Sequence, residues 1–112
     1  MLAKPNRLTR GSDYRAVVRR GARCAGAHTV TYVGDAGESA GARFGFIVSK
    51  QVGNAVVRNT VRRRLKAVCA QSLSGVRADA DIVIRALPSA ATADFATLRA
   101  EVVRCLERRA AA

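Results

Sequence analysis

The stretch Arg43-Phe44-Gly45-Phe46-Ile47-Val48-Ser49-Lys50-Gln51-Val52-Gly53-Asn54-Ala55-Val56-Val57-Arg58-Asn59-Thr60-Val61-Arg62-Arg63-Arg64-Leu65-Lys66 changes period in its middle. Up to Ser49, the apolar Phe44, Phe46 and Val48 alternate with Gly45, Ile47 and Ser49, which predicts a strand over Arg43 to Ser49. Gly53-Asn54 predicts a turn. From Ala55 the apolar Val57, Val61, Leu65 and Val68 recur at helical spacing, which predicts a helix from Ala55 to Ser72. Five of the nine residues from Arg58 to Lys66 are cationic, and no Asp or Glu occurs from Ser39 to Ala78. A fixed positive field on a rigid rod is suited to a polyanion.

The remaining elements follow from this centre. Asp81 to Leu87 reads as a compact apolar strand, expected to be central and parallel to 43–49, with the basic helix as the crossover. A right-handed crossover is the general physical expectation. His28 to Val33, rich in β-branched and aromatic residues, predicts another strand, followed by a Gly/Asp/Ser-rich loop from Gly34 to Gly41. A short strand is expected near Arg23 to Ala25. A first helix begins with Ser12 as N-cap and Asp13 in its first turn, carries Tyr14, Val17 and Val18 inward, and ends near Gly21. A last helix from Asp94 to Arg108 buries Phe95, Leu98, Val102 and Leu106. Residues 1–11 are expected to be extended and basic, and 110–112 to fray. The order α-β-β-β-α-β-α predicts an α+β two-layer sandwich in a single domain, 1–112.

On the basic helix, successive residues turn by about 100°, so Val57, Val61, Leu65 and Val68 fill an arc of roughly 80°. Arg58, Asn59, Arg62, Arg63 and Lys66 fill the adjoining arc of roughly 140°. Arg58, Arg62 and Lys66 stack one per turn, about 6 Å apart, near the spacing of successive phosphates. Arg64 falls beside the apolar stripe, where it is expected to support packing. Asn59 adds both a donor and an acceptor. A solvated surface helix usually pairs its cations with acids one turn away, and this one has none.

The charge is polarised along the chain. Residues 1–78 hold 15 Lys/Arg and three acids, which accounts for the whole net charge of +12; the last 34 residues hold five of each. Hydrophobic residues make up 49%, enough for a packed core, so the charge does not imply disorder. The basic helix lacks the broad Trp/Phe/Leu face of an interfacial helix, and no apolar run is long enough to cross a bilayer. The start, Met1 to Arg7, has no apolar signal core, so a cytoplasmic protein without a membrane partner is expected. Cys24, Cys69 and Cys105 are widely spaced, which predicts buried reduced thiols and excludes a paired metal-ligand motif. His28 stands alone, and the carboxylates are scattered apart from Asp79 and Asp81, placed to touch at most a cation. No phosphate loop or nucleophile elbow occurs. No means of hydrolysis is evident in the chain itself, so if it belongs to an enzyme the reactive centre is expected in its partner.

The run Gly45 to Asn59, followed by Arg62-Arg63, closely resembles the signature of the bacterial ribonuclease P protein subunit. Asn6-Arg7-Leu8, Asp13-Tyr14, Asp81 to Ala86 and Asp94-Phe95 resemble other parts of that family, so the likeness spans nearly the whole chain. It implies a fold similar to domain 2 of ribosomal protein S5, with a left-handed βαβ crossover in place of the general expectation. It also implies that a catalytic RNA subunit, with Mg²⁺ bound mainly through RNA, removes the 5′ leader of precursor tRNA. By position, Arg58, Asn59, Arg62, Arg63 and Lys66 would face the RNA subunit, with Asn6, Arg7, Ser49 and Lys50 near it. Tyr14, Val18 and Tyr32 would line a leader-binding cleft between the first helix and the sheet, the tyrosines stacking on unpaired bases.

Three positions depart from the family pattern. Thr60 replaces a cation, for which Arg64 is a candidate substitute; Val18 stands where Phe is common; and Pro5 replaces a basic residue. The competing reading is a structural, ribosomal-type RNA-binding protein without a processing role. Both readings predict salt-sensitive RNA binding.

Overall fold

The computed structural model describes residues 2–36 and 41–112. Its helices are α1 (Gly11–Arg20), α2 (Ala55–Ser72) and α3 (Phe95–Arg109). Its strands are β1 (Ala22–Ala25), β2 (Thr29–Asp35), β3 (Arg43–Ile47) and β4 (Ala80–Ala86), with short 3-10 turns at Lys4–Asn6, Leu73–Gly75 and Pro88–Ala91. The chain order α-β-β-β-α-β-α and the α+β class are those expected from the sequence. Part of the expected 34–41 loop, residues 37–40, lies outside the described residues.

The strands form one sheet in the order β1-β2-β4-β3. β4 is central as expected, antiparallel to β2 and parallel to β3, with Phe44 opposite Ile82 and Ile47 opposite Arg85. The alternation of β4 separates two packed faces. Ile82, Ile84 and Ala86 join Phe44, Val61, Leu65, Val68, Leu98 and Val102 beneath α2 and α3. Val83, on the opposite face, packs with Val30, Tyr32, Leu8 and Val17 beneath α1. Each fully buried Leu, Ile or Phe in these clusters contributes about 1.5–3 kcal/mol of transfer free energy. α2 and α3 therefore make the expected helical layer, and α1 lies across the other face.

Several local expectations are corrected. Ser12 is not the N-cap of α1: the helix begins at Gly11, and Arg10 occupies the cap without a side-chain bond. The Arg10 carbonyl already accepts from Asp13 N and Tyr14 N, which starts the turn one residue early. The residues before it are not uniformly extended, because Lys4–Asn6 form a 3-10 turn that lets Leu2 and Leu8 bury. β3 stops at Ile47 because Val48 and Val52 turn under α2, closed by Val52 N donating to Ser49 O at 3.1 Å. The tail 110–112 is pinned: Ala110 is fully buried, Arg77 N donates to Ala110 O, and Ala112 N donates to Gly75 O.

The cysteines are the largest correction. Cys24, the one buried residue of β1, and Cys105, on the buried side of α3, are joined as a disulfide across 81 residues, with Cα atoms 5.6 Å apart. Cys69 alone stays a free thiol, and burial pushes its pKa well above the ordinary value. Denatured but unreduced protein should therefore show one titratable thiol; a count of three would contradict the cross-link. A second tie holds the same corner. The buried Glu101 carboxylate of α3 accepts from His28 N at 2.9 Å, Thr29 N at 3.0 Å and Thr29 Oγ1 at 3.1 Å. Gly26 leaves the space this carboxylate occupies, which a Cβ would fill.

Candidate nucleic-acid interface

α2 starts where the sequence says, because its first turn is doubly specified. Asn54 caps it, its Oδ1 accepting from Val57 N at 3.0 Å. A Cβ at Gly53 would lie 2.8 Å from Val57 Cγ1, so only glycine lets the loop enter this closely. The stripe Val61, Leu65, Val68 and Cys69 is buried, which turns the cationic arc outward.

On that arc Arg63 and Asn59 are exposed, while Arg58, Arg62 and Lys66 are half-buried at their stems. Arg62 reaches back over the strand–helix junction, donating to Asn59 Oδ1 at 3.0 Å and Val48 O at 3.4 Å. The Nε of Arg58 is buried without a partner. Among the described residues, every ion pair belongs to Arg43 or Arg77, so no carboxylate neutralises the comb on α2. Arg64 does not join it. Its guanidinium donates to Ala93 O at 3.3 Å, beside Asp94, which caps α3 through Thr97 N at 2.8 Å. Hydrogen bonds from Thr97, with Arg64 and His28 nearby, hold the Asp94 carboxyl below its usual range. Arg64 thus braces α3 and does not replace the cation missing at Thr60, whose hydroxyl donates to Val56 O.

Asn6 and Arg7 sit at the opposite end of β3 from the α2 entry. Asn6 Nδ2 donates to Ala42 O at 2.7 Å, and Leu8 N donates to Phe44 O at 2.8 Å, so the N-terminal segment runs beside the sheet edge. Arg7 Nε donates to Leu2 O. Ser49 and Lys50 are exposed in the loop leading into α2.

Between α1 and the sheet lies a cavity of about 300 Å³ lined by Tyr14, Arg15, Val18, Arg19, Ile47 and Arg85. Tyr14 is laid flat on β3: a Cβ at Gly45 would come within 2.5 Å of its ring, and its hydroxyl donates to Leu8 O and accepts from Phe46 N, both at 3.3 Å. Ile47 and Arg85 also border a second cavity of about 620 Å³, with Ser49, Lys50, Gln51, Leu87 and Pro88. The two form a groove from α1 to the foot of the basic helix. Tyr14 and Val18 line it. Tyr32 does not, being 8% exposed beneath the Arg85 guanidinium, which stands 5.9 Å from its ring centre. Sequence reasoning passed over Arg15, Arg19, Ile47 and Arg85. The pair Arg15 and Arg19, one turn apart beside Val18, was a usable signal, as was an arginine inside the apolar run of β4.

The structure gives no group of three metal-ligating side chains among the described residues. The carboxylates nearest the sheet's lower end are each engaged by arginine. Arg43 meets Asp81 at 2.8 and 2.7 Å and Asp13 at 3.8 Å, and Arg77 meets Asp35 at 2.8 Å and Asp79 at 3.2 Å. The bond to Asp81 is the main cause raising the Arg43 pKa. This donor set does not fit Mg²⁺. No helix among the described residues is long and apolar enough to cross a membrane.

Comparison with known proteins agrees with this arrangement. The family model described as Ribonuclease P matches residues 2–110. The chain is 48% identical over 108 residues to the ribonuclease P protein component of Clavibacter michiganensis, covering 96% of each. It is 48% identical over 109 residues to that of Acidothermus cellulolyticus, covering 96% of this chain and 91% of the relative. The RNase P protein of Staphylococcus aureus superposes with a TM-score of 0.84 at 25% identity, over 92% of this chain and 94% of that one. Nearly full-length matches to sequence and fold, together with the acid-free comb on α2, lead to one assignment: the chain belongs to the ribonuclease P protein family, as its protein component.

Proposed function

We propose that this protein docks the comb of α2 onto a catalytic RNA subunit and receives the 5′ leader of precursor tRNA in the groove beneath α1. Arg58, Asn59, Arg62, Arg63 and Lys66 make the RNA-facing surface, with Ser49 and Lys50 at the foot of the helix and Asn6 and Arg7 at the far end of β3. Tyr14 and Val18 form the apolar floor of the leader path. Bond cleavage and Mg²⁺ belong to the RNA in this reading; Asp13, Asp35, Asp79 and Asp81 are paired with Arg43 or Arg77, and no group of three metal-ligating side chains occurs among the described residues. The observation that carries the reading is the continuity between groove and comb: the cavity that reaches Arg85 is also lined by Ser49, Lys50 and Gln51, in the loop that leads into α2.

The decisive experiment is reconstitution. Added to a catalytic ribonuclease P RNA at Mg²⁺ too low for the RNA alone, the protein should restore accurate removal of the leader. Binding of the RNA without any effect on cleavage would favour a purely structural RNA-binding role. Cleavage by RNA-free protein would refute the division of labour.

A further inference from the structure

Arg85 occupies a position that a central strand seldom gives to a charge. It is the only residue of β4 that is not buried, and its sheet neighbours are Val30 on one side and Ile47 on the other. Its stem therefore crosses apolar surface and delivers the guanidinium to the groove, over Tyr32. Among the described residues that guanidinium makes no ion pair and no side-chain hydrogen bond. It borders both cavities at the point where they meet. A guanidinium that has an aromatic ring behind it and borders open cavities offers them a stacking surface for a nucleobase.

We propose that Arg85 is a specificity-determining residue of the groove: backed by Tyr32, it is the platform on which one unpaired base of the leader stacks. Tyr32 then acts through Arg85, its ring backing the guanidinium at 5.9 Å without touching the nucleic acid. The stack is available to any base and stronger for purines, which offer the larger π-face. The inference rests on the groove being the leader path.

The test uses the reconstituted holoenzyme and precursor tRNAs whose leaders are lengthened one nucleotide at a time, with an abasic residue placed at each leader position in turn. With wild-type protein, a single abasic position should weaken binding about 10-fold, the scale of one lost base stack. Arg85→Ala should give the same loss on leaders long enough to reach the groove, no loss on mature tRNA, and no further loss when that abasic position is present. Arg85→Lys, which keeps the charge and the stem, should restore little of the affinity. Full rescue by lysine would overturn the stacking role, as would equal losses on mature tRNA or additive effects of the abasic residue and Arg85→Ala. The abasic scan with unaltered protein also decides the matter if Arg85→Ala folds poorly: an affinity indifferent to every abasic position sinks the platform. Failure of the protein to bind the RNA subunit or promote cleavage would instead overturn the wider reading on which this inference depends.

Discussion

Replacing Arg62 and Arg63 together by alanine should weaken association with the catalytic RNA by at least about 100-fold at low salt, because two charge-assisted contacts of roughly 1.5–3 kcal/mol each are lost. The two side chains will not contribute alike. Arg63 is exposed and makes no hydrogen bond among the described residues, so Arg63→Ala removes charge while leaving stability within about 0.5 kcal/mol. Arg62 also clasps Asn59 and the Val48 carbonyl, so its removal loosens the junction between β3 and α2 as well. Filter or gel-shift titrations beside thermal melts separate the two contributions. An association constant unchanged by the double substitution would remove α2 from the interface.

Tyr14→Ala should act on substrate choice and not on assembly. The ring is the flat floor of the groove, fixed against Gly45 and tethered by its hydroxyl to Leu8 O and Phe46 N. Losing it should cut the preference for precursor over mature tRNA by about 10- to 100-fold, the range of one base–aromatic stack. Binding of the RNA subunit should be nearly unaffected. Tyr14→Phe is the informative control: it keeps the ring and the discrimination, and gives up about 1 kcal/mol of stability with the two hydrogen bonds. If Tyr14→Ala and the α2 double variant changed leader discrimination equally, the separation of groove from comb would be wrong.

What was legible in the sequence follows the range of the interactions. α2 runs from Ala55 to Ser72 as expected, because its cap, its glycine and its apolar stripe all lie within the segment. The central place of β4 was legible for the same reason, as its apolar run could be satisfied only by burial on both faces. Features built from distant partners were hidden. The Cys24–Cys105 bridge spans 81 residues, and spacing alone predicted free thiols. Glu101 reads as an ordinary helix-surface acid until the β1–β2 turn closes on it. The tail is anchored only because Gly75 and Arg77 present backbone partners to it. The candidate site divided similarly. The comb could be placed by counting around one helix, whereas the groove needs α1, β3 and β4 together. Tyr32 therefore passed for a stacking surface, although Arg85 from the neighbouring strand covers it.

The salt dependence of RNA-subunit binding tests most directly whether α2 carries the electrostatic contact. Neutralising about six phosphates on single-stranded RNA predicts a log–log slope near −4 for the unaltered protein. Changing Arg58, Arg62, Arg63 and Lys66 to glutamine, with folding checked by circular dichroism, should flatten the slope to about −1.4, as roughly two contacts remain. A slope that stays near −4 in the folded variant would show that other cations hold the RNA and would contradict the account.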